Sequence, residues 1–372
     1  MKKEIQKFST TAQMEYANND KVKSKAESLF VKLKEHLKSV KQDESLFFTH
    51  GATVYIPDLH GDFVHLIITL YRHGVLEGEV TKPCFGEVAQ PCFHLRKDLK
   101  YVFLGDFYDR SPDADVIDFW LNIQIKNNLE IYRLIGNHEM AFFERNEDGY
   151  PIIFPSQDSI KDASNDFRIT ENLLKNIAEG NILATYVGCG RDLLQQVSTL
   201  YVHSYVINDD YIELGLEQNT SVVDFAIALN KRFKQHGQDA YNVFLNCKKE
   251  GKYNWKEIMK PFKDDPLFDI HKRNYDIHTS FIWRRTNLPV LNVYPAELDV
   301  KIPDDVYQIV GHTPVFLFNI PRNQSSTYPF LLSSKMGTGK IQFSDVGIGY
   351  YYKKDDFERP EVVINSVFAI RI

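Results

Sequence analysis

The sequence is poor in cysteine, lacks long apolar runs and carries no excess of positive charge. Only 4 of its 372 residues are cysteine, too few and too scattered for the disulfide framework of a small secreted domain. No run of about 18 apolar residues is present, so no transmembrane helix is expected. The formal net charge of -6 argues against a general nucleic-acid-binding protein, although it leaves a local basic groove open.

The N-terminus and the cysteines show no targeting or thiol-catalysis signal. Residues 1–7 are basic, but polar residues follow them, so a Sec-type signal peptide is not expected and the cytoplasm is the expected compartment. No cysteine is followed by arginine at the sixth position, which excludes the phosphate-binding loop of thiol-dependent phosphatases. Cys84, Cys92 and His94 resemble a zinc knuckle, but their spacing fits no common zinc pattern and favours a loop or hairpin.

Residues 1–50 are rich in lysine and glutamate and are expected to form a separate helical segment. A membrane-surface helix is one interpretation, but the interspersed glutamates favour a solvated face, so no membrane contact is expected. The segment is instead a candidate for binding a partner protein. Apolar residues at steps of three and four predict an amphipathic helix packed against the rest of the domain; they are Val22, Ala26, Phe30, Leu33 and Leu37.

Three strand-loop-helix units follow, and each delivers polar residues where its strand ends. Apolar runs over residues 52–56, 100–104 and 131–135 predict the strands, and helical patterns follow them. Strands that alternate with helices predict an α/β sheet with its polar residues gathered at the strand ends. We therefore expect an α/β domain over residues 51–372.

Later strands add further residues to this set. Strands predicted at 199–202 and 306–310 lead into His203 and His312, and a third is predicted at 340–343. Residues 205–281 are polar and rich in lysine and asparagine, with helical stretches such as 221–234. This region is predicted to be an inserted helical cap, and it is a second candidate for binding a partner.

The strand ends together present oxygen and nitrogen ligands without sulfur. Such a set suits two divalent ions such as Mn, Fe or Zn, and Asp106, between the other two units, is the natural carboxylate to bridge them. Two ions roughly 3.5–4 Å apart can hold a hydroxide between them and bind a phosphoryl group for in-line attack. The pattern therefore predicts phosphoester hydrolysis. The candidate ligands are Asp58, His60, Asp106, Asn137, His203 and His312.

These motifs resemble the phosphoprotein phosphatase (PPP) branch of the calcineurin-like metallophosphoesterases, over residues 52 to about 350. The resemblance implies two mixed β-sheets packed as a sandwich and flanked by helices. It also implies metal-dependent hydrolysis of phosphomonoesters on a phosphoprotein substrate by a metal-bridging hydroxide. The matching segments are Asp58-x-His60-Gly61-Asp62, Gly105-Asp106-x-x-Asp109-Arg110, Gly136-Asn137-His138-Glu139 and Gly311-His312.

The resemblance implies a role for each matched residue. His138 corresponds to the general acid and Asp109 to the carboxylate that orients it, while Arg110 corresponds to a phosphate-binding arginine. The segment 282–285 reads Ile-Trp-Arg-Arg and resembles the Ile-Trp-x-Arg of bacteriophage lambda-type protein phosphatases, which implies a second phosphate-binding arginine at Arg285, with Arg284 in reserve. The resemblance also implies the ligands of each ion. The first ion would be bound by Asp58, His60 and Asp106, and the second by Asp106, Asn137, His203 and His312.

Three residues depart from the family pattern, and none of them removes a ligand. Pro57 and Ser111 stand where the family has glycine, and Ser204 stands where glycine or alanine is common. The departures indicate divergent bacterial or phage relatives, some of which are secreted effectors or accept phosphotyrosine. Specificity for serine and threonine or for tyrosine is therefore open, and so is secretion into a host cell.

Two other functions fit the same motifs. A dinucleoside-polyphosphate hydrolase or phosphodiesterase would use the same pair of metal ions. A non-catalytic binding module that kept the fold is the second alternative. The complete ligand set argues against it, since a decayed site should have lost at least one ligand.

Overall fold

The computed structural model describes most of the region that carries the motifs. Asp109, Arg110 and Arg285 lie outside the described residues, as do Cys84 and Cys92. Among the helices in the described part of the chain, none is long and apolar enough to cross a membrane. The described residues are 20–38, 40–42, 48, 50–78, 93–108, 111, 113–126, 129–143, 145, 167–189, 198–269, 280–284, 297–298, 301–313, 330–334, 338–345 and 368–369.

Helices and strands alternate in the first half of the chain, and helices dominate the region that follows. In chain order the elements are α1 (Asp20–Leu37), β1 (Thr53–Ile56), α2 (Phe63–Arg72), β2 (Leu76–Gly78), β3 (Phe93–Leu95), β4 (Lys100–Phe103), α3 (Ala114–Lys126), β5 (Glu130–Leu134), α4 (Asn137–Phe142), α5 (Phe167–Glu179), β6 (Ile182–Leu183), β7 (Thr185–Cys189), β8 (Ser198–Val202), α6 (Asn208–Glu213), α7 (Val222–Glu250), α8 (Trp255–Lys263), β9 (Glu297–Leu298), β10 (Tyr307–Val310), β11 (Phe330–Ser334), β12 (Lys340–Phe343) and β13 (Phe368–Ala369).

The strands form two mixed sheets and a hairpin. In the first sheet, of order β13-β1-β4-β5-β6, all neighbours are parallel except β13. In the second, of order β7-β8-β10-β12-β11-β9, the central strands β8, β10 and β12 are parallel. The hairpin of β2 and β3 contains His94, in agreement with the hairpin interpretation. The six strands predicted before motif residues are all present, with ends within one residue of the prediction.

The two sheets pack face to face, with helices outside the first. Alternate residues of β1 and β4 point between the sheets, where Tyr55 and Val102 share an apolar cluster with Tyr201 and Ile309 of the second sheet. The residues in between, such as Val54, pack with the helices in the main core. Because successive side chains of a strand point to opposite faces, a strand buried on both faces reads as a continuous apolar run. The sandwich implied by the family resemblance is confirmed.

Helices outside the motif region also join the main core. In α1, Ala26, Leu33 and Leu37 are buried there, which confirms the predicted packing of this amphipathic helix. The helix predicted at 221–234 continues to Glu250 as α7 and ends at Gly251, whose φ of 69° stops it. The division into residues 1–50, 51–372 and an inserted cap at 205–281 stays a prediction.

Candidate metal centre

Five strands of the two sheets end at one place. The parallel strands β1, β4 and β5 of the first sheet and β8 and β10 of the second lead into all six predicted ligands. Every one of these side chains is at most 2% exposed. Burying so many polar and charged groups is costly unless a partner compensates them. The buried set is Asp58, His60, Asp106, Asn137, His203 and His312.

Two histidines are each fixed by a backbone carbonyl on one side and face Asn137 on the other. His203 Nδ1 lies 2.7 Å from the carbonyl oxygen of Leu104, and His312 Nε2 lies 3.3 Å from that of Trp283. Since a carbonyl only accepts, these nitrogens carry the protons. The opposite nitrogens, His203 Nε2 and His312 Nδ1, each lie 2.7 Å from Asn137 Oδ1.

This arrangement brings three acceptor atoms together. In neutral imidazoles the two nitrogens that face Asn137 present lone pairs, and the amide oxygen between them also only accepts. Asn137 Nδ2 is buried and makes no hydrogen bond within the described residues. A cation would satisfy all three acceptors, and a backbone carbonyl behind each ring is the usual support of a metal-ligating histidine. The donor set therefore fits a divalent ion.

Asp106 is shared by two clusters of ligand atoms. It groups with His60 and His138 and also with His203 and His312, and the ligand atoms of each group all lie within 4.8 Å of one another. Asp106 Oδ1 lies 3.5 Å from His203 Nε2, and Oδ2 lies 3.5 Å from His138 Nε2. Separations of this size suit ligands that each lie about 2 Å from a common ion. Asp106 thus belongs to both clusters, and its role as the bridging carboxylate stays a prediction.

Asp58 lies beside these clusters, and His138 lies within one of them. Both carboxylate oxygens of Asp58 accept from the backbone N–H of His312, at 3.2 and 2.9 Å, and Oδ1 lies 3.7 Å from His203 Nδ1. His138, the predicted acid, is 3% exposed and contacts the His60 ring edge-on, with centroids 4.8 Å apart. The roles of Asp58 as a ligand and of His138 as an acid stay predictions.

The backbone of the ligand loops is strained. Three predicted ligands, His60, Asp106 and His312, have φ values of 47°, 51° and 59°, in the left-handed region that costs roughly 1 kcal/mol or more for a residue other than glycine. The Asp106 carbonyl accepts the N–H groups of Leu59 and His60, at 3.1 and 2.7 Å. These bonds join the first two ligand loops and hold the unusual conformation.

Two motif glycines are required by close approach. A Cβ on Gly105, whose φ is 107°, would lie 2.8 Å from backbone atoms of Gly136 and from His203 Nδ1. A Cβ on Gly311 would lie 2.2 Å from Asp58 Oδ1. Any side chain at these positions would push a predicted ligand out of place. The glycines therefore precede Asp106 and His312 for steric reasons.

Glu139 supports the centre, a role that sequence reasoning missed. Its buried carboxylate accepts the N–H groups of Asp106, Phe107, Tyr108 and Gly136. Burial, followed by the nearby charge of Asp106, raises the pKa of Glu139 to about 8, and the backbone donors act in the opposite direction. The bond from Gly136, just before α4, is the glutamate half of a capping box, and this helix-start signal could have identified the residue.

Arg284 is engaged inside the protein. Its Nη1 and Nη2 lie 2.7 and 2.9 Å from the carboxylate of Asp210, and both residues are buried. The predicted reserve phosphate ligand therefore already has a charged partner. Arg285, Arg110 and Asp109 lie outside the described residues, so their roles stay predictions.

Comparisons with known proteins give distant likenesses. No protein-family model and no curated protein sequence matches the chain. A cold-active protein-tyrosine phosphatase of the psychrophile Shewanella sp. is 14% identical, with a TM-score of 0.39, over 87% of this chain and 77% of that one. The phosphatase domain of the Legionella effector WipB is 11% identical, with a TM-score of 0.40, over 70% and 99%. A protein serine/threonine phosphatase from Saccharomyces cerevisiae is 14% identical, with a TM-score of 0.30, over 57% and 52%.

Proposed function

We propose that the chain is a metal-dependent phosphoprotein phosphatase of the PPP kind, acting on phosphoserine and phosphothreonine, with phosphotyrosine as the alternative. The observation that carries the proposal is the convergence of His203 Nε2, His312 Nδ1 and Asn137 Oδ1 beside the Asp106 carboxylate. A cation would satisfy buried acceptors that face one another, and this donor set suits Mn, Fe or Zn. We propose the cytoplasm as its compartment.

Two ions are assigned to the centre. Asp106 would bind both, because its two oxygens face different clusters. When bound, the ions would activate water for attack and offset the negative charge of the phosphoryl oxygens. The other proposed ligands are Asp58 and His60 for one ion and Asn137, His203 and His312 for the other.

The chain's own residues complete the reaction. His138 Nε2, which lies 3.5 Å from Asp106 Oδ2, would give its proton to the departing alkoxide, and Asp109 would orient the ring. Arg110 and Arg285 would bind the phosphoryl oxygens that take no part in bond breaking. A leaving group that departs as an alcohol needs this proton, since an alkoxide is a poor leaving group at neutral pH.

Hydrolysis of p-nitrophenyl phosphate with added Mn²⁺ tests the proposal. Asp106→Asn and His203→Ala should each lower kcat/KM by roughly 100-fold or more, above the 10–100-fold typical of residues that only support ligands. His94→Ala, in the β2–β3 hairpin that is separate from the two sheets carrying the ligands, is the control and should retain activity. Activity that survives Asp106→Asn would refute the proposal.

Metal binding and a substrate panel sharpen the test. If the Asn137 amide instead points its NH₂ group at both rings, the rings are satisfied without a metal ion, and the purified protein should bind no Mn²⁺ in calorimetry. Retention of the metal supports the proposed centre. Rates on phosphothreonine and phosphotyrosine peptides, compared with a dinucleoside tetraphosphate, separate a protein phosphatase from a polyphosphate hydrolase.

A further inference from the structure

A buried ion pair joins α6 to residue 284. Arg284 pairs through both terminal nitrogens with Asp210 of α6, and each residue is 3% exposed. Arg284 Nη1 also donates to the carbonyl of Tyr205 at 2.8 Å. Asp210 Oδ2 accepts the N–H of Ile207, just before α6, at 2.8 Å. A planar, two-point pairing fixes the orientation of the guanidinium as well as its position.

The backbone carbonyls of residues 283 and 284 contact one predicted ligand and the neighbour of another. The carbonyl of Arg284 accepts the hydroxyl of Ser204, the residue that follows His203. The carbonyl of Trp283 lies 3.3 Å from His312 Nε2, and the Trp283 ring stands perpendicular to the His312 ring with centroids 6.2 Å apart. Residue 283 therefore contacts the predicted ligand His312, and residue 284 contacts the neighbour of the predicted ligand His203.

We infer that the Asp210–Arg284 pair is a positioning element of the metal centre. It anchors the backbone of residues 283–284, so that the Trp283 carbonyl holds the proton of His312 on Nε2 and the lone pair of Nδ1, which faces Asn137, would bind a metal ion. Arg285, the proposed phosphate-binding residue, follows Arg284 in the sequence. Arg284 is thereby a structural partner of Asp210 and not a phosphate ligand. The part that concerns Arg285 rests on the proposed function, whereas the part that concerns His312 requires only metal binding.

The affinity of the purified full-length protein for Mn²⁺, measured by calorimetry, tests this inference. Arg284→Gln removes the pairing and should weaken Mn²⁺ binding by roughly 10–100-fold, the range for residues that orient metal ligands. Arg284→Lys keeps the charge beside Asp210 and should recover part of that loss. Arg232→Gln, which disturbs the pair of Arg232 with Asp265 in the same region, is the matched control and should bind Mn²⁺ as the wild type does.

Folding and catalysis are measured in parallel to separate the possible outcomes. Circular dichroism checks that each variant is folded. If Arg284→Gln does not fold, the double variant Asp210→Asn/Arg284→Gln removes both charges and replaces it. Unchanged Mn²⁺ affinity in a folded variant would overturn the inference. So would a raised KM for a phosphopeptide without a change in Mn²⁺ affinity, because that result assigns Arg284 to phosphate binding.

Failure of the phosphatase proposal can be distinguished from failure of the inference about the ion pair. A wild-type protein that binds Mn²⁺ but hydrolyses no phosphoester refutes the phosphatase proposal, while the comparison of Mn²⁺ affinities still decides the role of the ion pair. A wild-type protein that binds no Mn²⁺, Fe²⁺ or Zn²⁺ refutes both.

Discussion

Replacing Glu139 with alanine should loosen two ligand loops at once. The carboxylate accepts four backbone N–H groups, from Asp106 at 2.8 Å, Phe107 at 2.7 Å, Tyr108 at 3.3 Å and Gly136 at 2.9 Å. A buried donor left without an acceptor costs about 1–3 kcal/mol. Four such donors set an upper range of about 4–12 kcal/mol, which local relaxation and entering water reduce. We expect the free energy of unfolding to fall by about 3–5 kcal/mol.

Glutamine at this position should cost about half as much. One carboxylate oxygen receives Phe107 and Tyr108, and the other receives Asp106 and Gly136. The amide of Glu139→Gln replaces one oxygen with an NH₂ group, which cannot accept, so one pair of bonds is lost. Activity should fall by roughly 100-fold even where the variant folds, because a shift of about 1 Å in a catalytic group has that effect.

Urea unfolding of the metal-free protein, followed by tryptophan fluorescence, measures these losses. Glu217→Ala, at an exposed glutamate, is the control and should change the free energy of unfolding by less than about 0.5 kcal/mol. A Glu139→Ala protein as stable and as active as this control would refute the argument that the carboxylate holds the loops.

Three further outcomes are expected. Gly311→Ala should weaken Mn²⁺ binding at least tenfold by calorimetry, because its Cβ would lie 2.2 Å from Asp58 Oδ1; unchanged affinity would contradict the steric argument. His138→Asn should lower kcat on a phosphothreonine peptide by roughly 10²–10⁴-fold with Mn²⁺ affinity retained if His138 is the acid, whereas a loss of affinity would make it a ligand. Burial raises the pKa of Asp113 to about 6, above the ordinary value, so the folded state holds this proton more tightly than the unfolded chain does. That stabilisation is complete below about pH 4 and is lost as the pH rises through 6. Relative to Asp113→Asn, the wild type should therefore lose about 2–3 kcal/mol of unfolding free energy between about pH 4 and pH 6 in urea titrations. If the unfolding free energies of the two proteins change with pH in parallel, the argument from the Asp113 pKa is refuted.

The strands that lead into the centre could be predicted because each buried strand is a run of consecutive apolar residues. A strand buried on both faces is apolar throughout, as in residues 101–104, and the polar residues start where it ends. The helix α7 is longer than the predicted helical stretch at 221–234. Its polar second half gives a weak helical pattern, and the helix continues because nothing stops it before Gly251.

The supporting contacts of the centre could not be predicted. Ser204 and Arg284 are 80 residues apart in the chain, and Asp210 and Arg284 are 74 apart, with no local pattern to connect them. Glu139 belongs to a motif segment, but the loop of Asp106 to Tyr108, whose N–H groups it accepts, lies more than 30 residues earlier in the chain. Such bonds depend on how loops from different strands meet.

The sequence by itself determined the central strands and the polar residues that follow them. It placed the proposed oxygen and nitrogen ligands directly after apolar strands, and parallel strands bring their carboxyl ends to one edge. Only the tertiary structure decided which atoms meet. It places a ring nitrogen of His203 beside the Leu104 carbonyl and one of His312 beside the Trp283 carbonyl, and it pairs Arg284 with Asp210. These contacts depend on distances of a few ångströms between segments that are remote in the chain.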